Sequence, residues 1–225
     1  MDILLTIISG LFWIIVYEEC IRLGFKQKTY CMPFFALGLN LAWEAVYPFS
    51  YIFLNAPPPL PGIIDSVQSV INILWLIFDI IILYTYFKFG KKEWPKSIDI
   101  KLFTPWSIIT IFCCFCLQIV FIYEFGFVMA IKYSAFLQNL LMSILFINLF
   151  AKRGNMNGQS ILLAVSKWIG TLAPTILFGI VRFNLFVLVC GIFCSVFDLI
   201  YITLLIKYRK NHHLENIHSI LKFRT

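Results

Sequence analysis

The sequence has few charged residues and very little histidine. Only 13% of its 225 residues are charged, and only three are histidine. Because soluble domains are about one-quarter charged, this composition argues against a soluble fold. None of the histidines falls in a long apolar segment, and the seven cysteines show no zinc-type spacing. We therefore expect no metal site and no cofactor. A basic stretch before the first apolar segment is also missing, so no cleavable signal peptide is expected.

Long apolar segments are what the chain has instead, and 61% of its residues are hydrophobic. A helix needs about 20 residues to cross the hydrocarbon core of a bilayer. The sequence predicts one domain, residues 1–225, an all-α polytopic membrane protein with a bundle of seven transmembrane helices. These helices are predicted at roughly residues 3–21, 33–53, 67–87, 104–123, 128–150, 160–180 and 184–206.

The basic residues predict the orientation of this bundle. Most of the 18 lysines and arginines fall in segments 22–32, 88–103 and 151–159 or after residue 206, which all lie on one side of the predicted membrane. Positive residues favour the cytoplasm, so the N-terminus should be outside and the C-terminus cytoplasmic. The net charge of +7 then needs no nucleic-acid partner. The expected surroundings are the lipid bilayer of a bacterial plasma membrane or a eukaryotic endomembrane, and no protein partner is predicted.

The longest outer connection is rich in proline. Segment 55–66 contains Pro57, Pro58, Pro59 and Pro61, which favour a stiff, extended conformation. We interpret this segment as a rigid connector, with a lid over the mouth of a pocket as the alternative.

Three acidic residues lie deep within predicted membrane helices. They are Glu44 in the second helix, Asp79 in the third and Asp198 in the seventh. A carboxyl group is costly in the hydrocarbon core unless it faces a cavity or a partner, so an intramembrane acid indicates a functional site. The alternative is that these acids form hydrogen bonds that only hold the helices together.

Helical spacing places other polar and aromatic residues on the same faces as these acids. Residues three or four positions apart form one stripe on a helix. Lipid cannot satisfy polar groups, so the stripes should face the interior of the bundle. The residues predicted to line a pocket beside Glu44 and Asp198 are Asn40, Trp43, Tyr47, Asn72, Trp75, Asp79, Gln138, Asn139 and Tyr201.

These residue types suit proton chemistry in a dry pocket. A buried carboxyl group favours its uncharged form, so Glu44 would be a strong proton donor. Aromatic faces stabilise a developing cation, and a pocket without water prevents its early capture. A second carboxylate can remove the final proton. Acid-initiated cyclisation of a polyene needs all of these features. A proton-coupled small-molecule transporter could use the same groups, so that alternative stays open.

Several segments of the sequence resemble a known family, the small seven-helix transmembrane terpene cyclases of fungal meroterpenoid and indole-diterpene pathways and their bacterial relatives. The most specific matches are Trp43-Glu44, the Phe-Asp pair ending at Asp79 and the pair ending at Asp198. The matching segments occur in family order over nearly the whole chain, and they include Tyr17, Gly24-Phe25 and residues 29–33, 40–47, 75–79, 138–143, 158–160, 167–171 and 197–201.

The resemblance implies a metal-independent cyclase with two catalytic acids, which correspond to Glu44 and Asp198. It implies a hydrophobic polyprenyl substrate, often attached to an aromatic or polyketide head and often ending in an epoxide. Protonation, ring closure and loss of a proton would then give an isomer of the substrate. The sequence has no Asp-Asp-x-x-Asp or Asp-x-Asp-Asp run, so neither soluble type of terpene cyclase is indicated.

A retinal photoreceptor is the other seven-helix class that the sequence can test. It needs a buried lysine in the last helix, but that helix has none before Lys207 at its cytoplasmic end. The one intramembrane lysine, Lys167, lies in the sixth helix. A photoreceptor is therefore not indicated.

Overall fold

The structure, a computed structural model, describes residues 1–54 and 63–222, and it describes side chains for residues 1–48 and 70–212. The elements in these parts of the chain are all helical. The long helices are α1 (Asp2–Gln27), α2 (Phe34–Leu54), α3 (Ile63–Phe89), α4 (Phe103–Phe125), α5 (Phe127–Arg153), α6 (Ile161–Pro174) and α7 (Leu185–Lys222), and a π-helix, Thr175–Val181, continues α6.

Six helical segments in the described residues are long and apolar enough to cross a membrane. They correspond to α1, α3, α4, α5, α6 with its π-helix, and α7. The remaining long helix, α2, has 21 residues. The all-α class predicted from the sequence is confirmed for the described residues, and the six segments indicate a multi-pass membrane protein.

Two helices extend well past their predicted ends. The first was expected to end near residue 21 but reaches Gln27, and the last was expected to end near residue 206 but continues to Lys222. The added residues are mostly polar or charged. Apolar length marks the thickness of the hydrocarbon core, whereas polar residues can continue a helix into water. The hydropathy pattern of these two helices therefore marks an apolar stretch that is shorter than the helix itself.

The structure describes the basic connection between α3 and α4, but most of the proline-rich connection before α3 lies outside the described residues. The basic segment 88–103 contains two short 3₁₀-helices, Gly90–Glu93 and Ile100–Leu102. The proline-rich segment, predicted to be a connector or a lid, lies outside the described residues up to the start of α3 at Ile63.

Packing brings the polar stripes together in the interior of the bundle. Helix α1 packs against α3 and α6, α2 packs against α3, α4 and α5, and α7 packs against α5 and α6. The main core joins α1, α2, α3, α5, α6 and α7 through fully buried residues that include Val16, Tyr17, Leu37, Ile82, Met142, Phe146, Leu163 and Tyr201.

A proline interrupts α6 where it packs against α1. Pro174 has no backbone N–H, so the carbonyl of Gly170, four residues earlier, cannot have its usual helical partner. The Ser9 hydroxyl of α1 donates a hydrogen bond to that carbonyl at 2.8 Å. Gly170 also allows the two helices to approach closely, because a Cβ atom there would lie 2.9 Å from Trp13 Cδ1.

An arginine at the end of α5 ties together three connecting segments. Arg153 Nη2 donates to Glu93 Oε1 at 2.8 Å, to the Tyr30 carbonyl at 2.7 Å and to Thr29 Oγ1 at 3.1 Å. Its guanidinium also lies 4.6 Å from the centre of the Tyr30 ring. Burial, together with the nearby Glu93 carboxylate, raises the pKa of Tyr30 to about 12, so its phenol stays neutral at physiological pH.

We expect Arg153→Met to destabilise the protein. The Arg153 side chain is 5% exposed and Glu93 is 21% exposed, and removing one partner of a buried ion pair costs about 3 kcal/mol or more. The apparent melting temperature of the purified protein in detergent should fall clearly. Lys96→Met is the control, because Lys96 is exposed in the turn between the two 3₁₀-helices. Equal melting temperatures for the two variants would contradict this account of Arg153.

Candidate active site

Two adjoining cavities lie among α1, α2, α3 and α5. The larger has a volume of about 140 Å³ and also reaches the C-terminal end of α6 and its π-helix, and the smaller has a volume of about 60 Å³. They share wall residues and therefore lie side by side, with three tryptophan side chains common to both walls. The shared residues are Trp13, Trp43, Trp75, Ala135 and Asn139.

Glu44 lines the smaller cavity. Its side chain is only 2% exposed, and its Oε2 atom has no hydrogen-bond partner among the described residues. Helix α2 carries Pro48 one turn later, which removes the N–H that would bond to the Glu44 carbonyl. The smaller cavity is therefore bordered by a carboxyl oxygen without a hydrogen-bond partner among the described residues, and the backbone carbonyl of the same residue lacks its usual helical donor.

Asn40 lies one turn before Glu44 and connects it to a buried hydrogen-bond network. Its Nδ2 atom donates to Asp79 Oδ2 at 3.0 Å and also to the Tyr17 hydroxyl oxygen. Its Oδ1 atom accepts from Gln138 Nε2 at 3.2 Å. Because these partners lie on α1, α3 and α5, one amide positions four helices around the Glu44 side chain.

Asp79 is the second carboxyl group at this end. It is fully buried, it interacts electrostatically with Glu44, and its Oδ1 atom has no hydrogen-bond partner among the described residues. It does not line either cavity. Asp79 is therefore placed to influence Glu44 from behind the cavity wall.

Asp198 occupies a separate polar cluster. Lys167 Nζ donates to Asp198 Oδ1 at 2.8 Å and to Oδ2 at 3.0 Å, and it donates to Ser143 Oγ at 2.7 Å. The side chains of Lys167 and Asp198 are 0% and 1% exposed. Ser143 in turn donates to the carbonyl of Asn139, a residue of the cavity wall, at 3.0 Å. The ion pair therefore lies behind the wall and does not line either cavity.

The structure brings six of the residues predicted from the sequence together at the smaller cavity and places the others outside it. Trp43 is fixed there because its Nε1 atom donates to the Ile131 carbonyl at 3.1 Å. Tyr47 packs against Trp43 and bonds to Ser134, whereas Tyr201 donates to Gln159 Oε1 at 2.7 Å. The six at the cavity are Asn40, Trp43, Glu44, Trp75, Gln138 and Asn139, and those outside it are Tyr47, Asn72, Asp79, Asp198 and Tyr201.

The sequence did not predict all of the residues in these clusters. Trp13 and Tyr17 line the smaller cavity from α1. They lie four residues apart, as on one helical face, but the helix has no intramembrane acid to mark it. Lys167 was noticed as an intramembrane lysine without a role. A buried cation needs a buried anion, and that requirement was the signal for its pairing with Asp198.

No three His, Cys, Asp or Glu side chains come together as potential metal ligands within the described parts of the chain. The polar groups at the smaller cavity are instead carboxyl, amide and phenol groups, which can transfer or hold a proton. Their aromatic surroundings suit a hydrophobic ligand.

The apolar helices indicate a multi-pass membrane protein, and its interior holds two cavities lined by tryptophans. The family model of the Pyr4-like transmembrane terpene cyclases matches residues 1–211. The chain therefore belongs to this family, and it is a transmembrane terpene cyclase. The resemblance described from the sequence is confirmed.

Curated relatives of the chain are fungal terpene cyclases. The Pyr4-family terpene cyclase mfmH of Annulohypoxylon moriforme is 28% identical over 77% of this chain and 68% of its own length. Terpene cyclase macJ of Penicillium terrestre is 28% identical over 77% of this chain and 64% of its own length. Terpene cyclase pyr4 of Aspergillus fumigatus is 26% identical over 91% and 86%. The chain thus spans about two thirds of the first two relatives. No solved structure matches the chain.

We expect Lys167→Met to destabilise the bundle strongly, because it leaves the Asp198 carboxylate buried without its cation. The loss should be about 3–5 kcal/mol. Adding Asp198→Asn should restore part of the lost stability, since the unpaired charge is then removed. The melting temperatures of the two single variants and the double variant, measured in detergent, test this coupling. Additive losses in the double variant would show that the pair is not coupled.

Proposed function

We propose that this cyclase begins its reaction by transferring a proton from Glu44 to a polyprenyl chain. The substrate carries this chain on an aromatic or polyketide head, and its reacting group is a terminal double bond or epoxide. The reaction needs no metal. The observation that carries the proposal is the position of Glu44, whose unpartnered carboxyl oxygen lies at the end of a cavity walled by three tryptophans.

The surroundings of Glu44 favour an uncharged acid that is ready to give up its proton. No cation is paired with it among the described ion pairs, and a buried carboxylate without a partner is costly. Asp79 lies close enough to interact with it electrostatically. Two neighbouring carboxyl groups in a dry site do not readily both carry a charge, so the pair retains at least one proton.

The tryptophan walls are suited to the cation that follows protonation. An aromatic face attracts a positive charge without reacting with it as a base would. The rings of Trp13 and Trp75 are 6.4 Å apart at an interplanar angle of 61°, and both line the cavity. Their faces can therefore stabilise successive positions of the charge as rings form, while the apolar walls keep water away.

The proton balance closes within the site. Glu44 protonates the CH carbon of the terminal double bond, which leaves a tertiary cation, or the epoxide oxygen, whose C–O bond then breaks. The double bonds of the chain attack in turn to form ring C–C bonds. A carbon next to the last cation then loses a proton, and the Glu44 carboxylate accepts it. The product is an isomer of the substrate, with no net gain or loss of atoms.

For Asp198 we propose a positioning role in place of direct contact with the substrate. Its carboxylate is neutralised by Lys167, and the pair reaches the cavity wall through Ser143 and the Asn139 carbonyl. Holding Asn139 in place fixes an amide whose Oδ1 atom has no partner among the described residues. Loss of Asp198 should therefore impair catalysis indirectly, because the cavity wall at Asn139 would no longer be held in place.

We further propose that residues 1–225 form one domain in which α2 is a seventh membrane span. The N-terminus would be outside and the C-terminus cytoplasmic. The basic residues at and beyond the C-terminal ends of α1, α3, α5 and α7 support this orientation. In a bacterium the protein would lie in the plasma membrane, and in a eukaryote it would lie in an endomembrane.

We expect Glu44→Gln to abolish cyclisation while leaving the protein folded. The amide keeps the shape of the side chain but has no acidic proton, and general acid catalysis typically contributes about 100-fold or more to the rate. Product formation is measured by chromatography with mass detection, as a new peak of unchanged mass from farnesylated aryl substrates with and without terminal epoxides. Full turnover by this variant would exclude Glu44 as the initiating acid.

The matched control is Glu18→Gln, which makes the same chemical change at an exposed position of α1. We expect this variant to retain activity. A parallel reaction in heavy water identifies the protonated group. A deuterium that stays on carbon indicates protonation of a double bond, whereas an exchangeable hydroxyl deuterium indicates epoxide opening.

A further inference from the structure

A lysine lines the larger cavity, whereas Glu44 lines the smaller one. Lys132 lies near the start of α5, with Nζ 5.5 Å from the centre of the Phe178 ring. It does not line the smaller cavity, to which α5 contributes Ala135, Gln138 and Asn139. The cation and the acid therefore lie in two adjoining cavities that share wall residues.

Lys132 differs from the neighbouring buried or partly buried cations in lacking an anion. Arg182 lies over the same Phe178 ring at 5.8 Å, but it is paired with Asp2 at 2.7 Å. Lys167 is paired with Asp198. Lys132 takes part in none of the ion pairs or hydrogen bonds between described side chains. A second positive charge nearby makes an anion at this position still more favourable.

The wall around Lys132 does not explain why a cation lies there. The other residues lining the larger cavity are mostly aromatic or aliphatic, with Ser9 and Asn139 as the polar exceptions. The Ser9 hydroxyl already donates to the Gly170 carbonyl. A polyprenyl chain alone would need no charged group at this end. A ligand with an apolar chain and an anionic head would satisfy both the walls and the lysine.

We propose that Lys132 binds an oxyanion on the head group of the substrate, either a carboxylate or the ionised hydroxyl of an acidic phenol or enol. This assignment rests on the proposed role of Glu44, because it places the head in the larger cavity and the reacting end of the chain in the smaller one. Lys132 is then a specificity-determining residue. It selects acidic heads over neutral ones and directs the chain end towards Glu44.

Binding of a matched pair of ligands tests the proposal. The probes are a farnesylated 4-hydroxybenzoic acid and its methyl ester, which have the same chain and ring but differ in charge. Binding is measured with the full-length protein carrying Glu44→Gln, so that no turnover occurs. The signal is the intrinsic fluorescence of tryptophan, since Trp13, Trp43 and Trp75 line the cavities.

We expect the acid to bind about tenfold more tightly than the ester, and we expect Lys132→Gln to remove that preference by weakening only the acid. Lys132→Arg should retain the preference because it keeps the charge. Lys101→Gln removes an exposed lysine of the 3₁₀-helix before α4, which lines neither cavity, and should change nothing. In the active enzyme, Lys132→Gln should raise KM for an acidic substrate with little change in kcat.

Several results would overturn the proposal. One is equal binding of the acid and the ester by the Glu44→Gln protein, and another is no binding of the acid by that protein. A third is an equal loss of affinity for both ligands when Lys132→Gln is added. The outcome is independent of the test of Glu44, because binding is measured without turnover. If Glu44→Gln stayed active while Lys132→Gln lost its preference for the acid, the head-group site would stand and the initiating acid would need to be sought elsewhere.

Discussion

The rest of the site depends on the hydrogen bonds of one amide, Asn40. Hydrocarbon offers a polar side chain no partner, so an amide in the bundle must find its partners on neighbouring helices. Asn40 does so on three helices at once, through Tyr17, Asp79 and Gln138. Gln118 extends the network to a further helix by donating to Gln138. The position of Glu44, one turn further along α2, follows from this arrangement.

The second polar cluster connects the later helices, as Asn40 connects the earlier ones. Lys167 on α6 joins Asp198 on α7 and Ser143 on α5. Helix α5 takes part in both clusters, so together they connect all seven long helices. A buried ion pair contributes little net stability, but losing one partner is costly. Such a pair therefore adds little stability to the native packing, but it disfavours any alternative packing of the helices that would leave one partner unpaired.

The sequence predicted the helices and the intramembrane acids because both are properties of a single segment. Apolar length defines a span, and a charge within it is visible at once, as with Glu44 and Asp79. What a single segment cannot show is which helix faces which. The pairing of Lys167 with Asp198, and so the separation of Asp198 from the Glu44 cavity, depends on packing between helices. The catalytic roles of these residues stay predictions.

The contribution of α1 was missed for a related reason. Trp13 and Tyr17 face the cavity, but aromatic residues are common throughout this chain and mark no face by themselves. The choice between an enzyme and a transporter also lay beyond the local chemistry, since the same buried acids suit both. Membership of the cyclase family, which depends on the order of matching segments along the whole chain, decided it.

The hydrogen bond from Ser9 to the Gly170 carbonyl has a consequence for how the protein can change. It supplies from another helix the donor that Pro174 lacks. The change from α-helix to π-helix that follows Pro174 is therefore stabilised by α1 as well as by α6 itself. A substitution of Ser9 can alter the cavity wall at Phe178 without contacting it, whereas exchanging α6 between relatives would preserve this backbone only if α1 came with it.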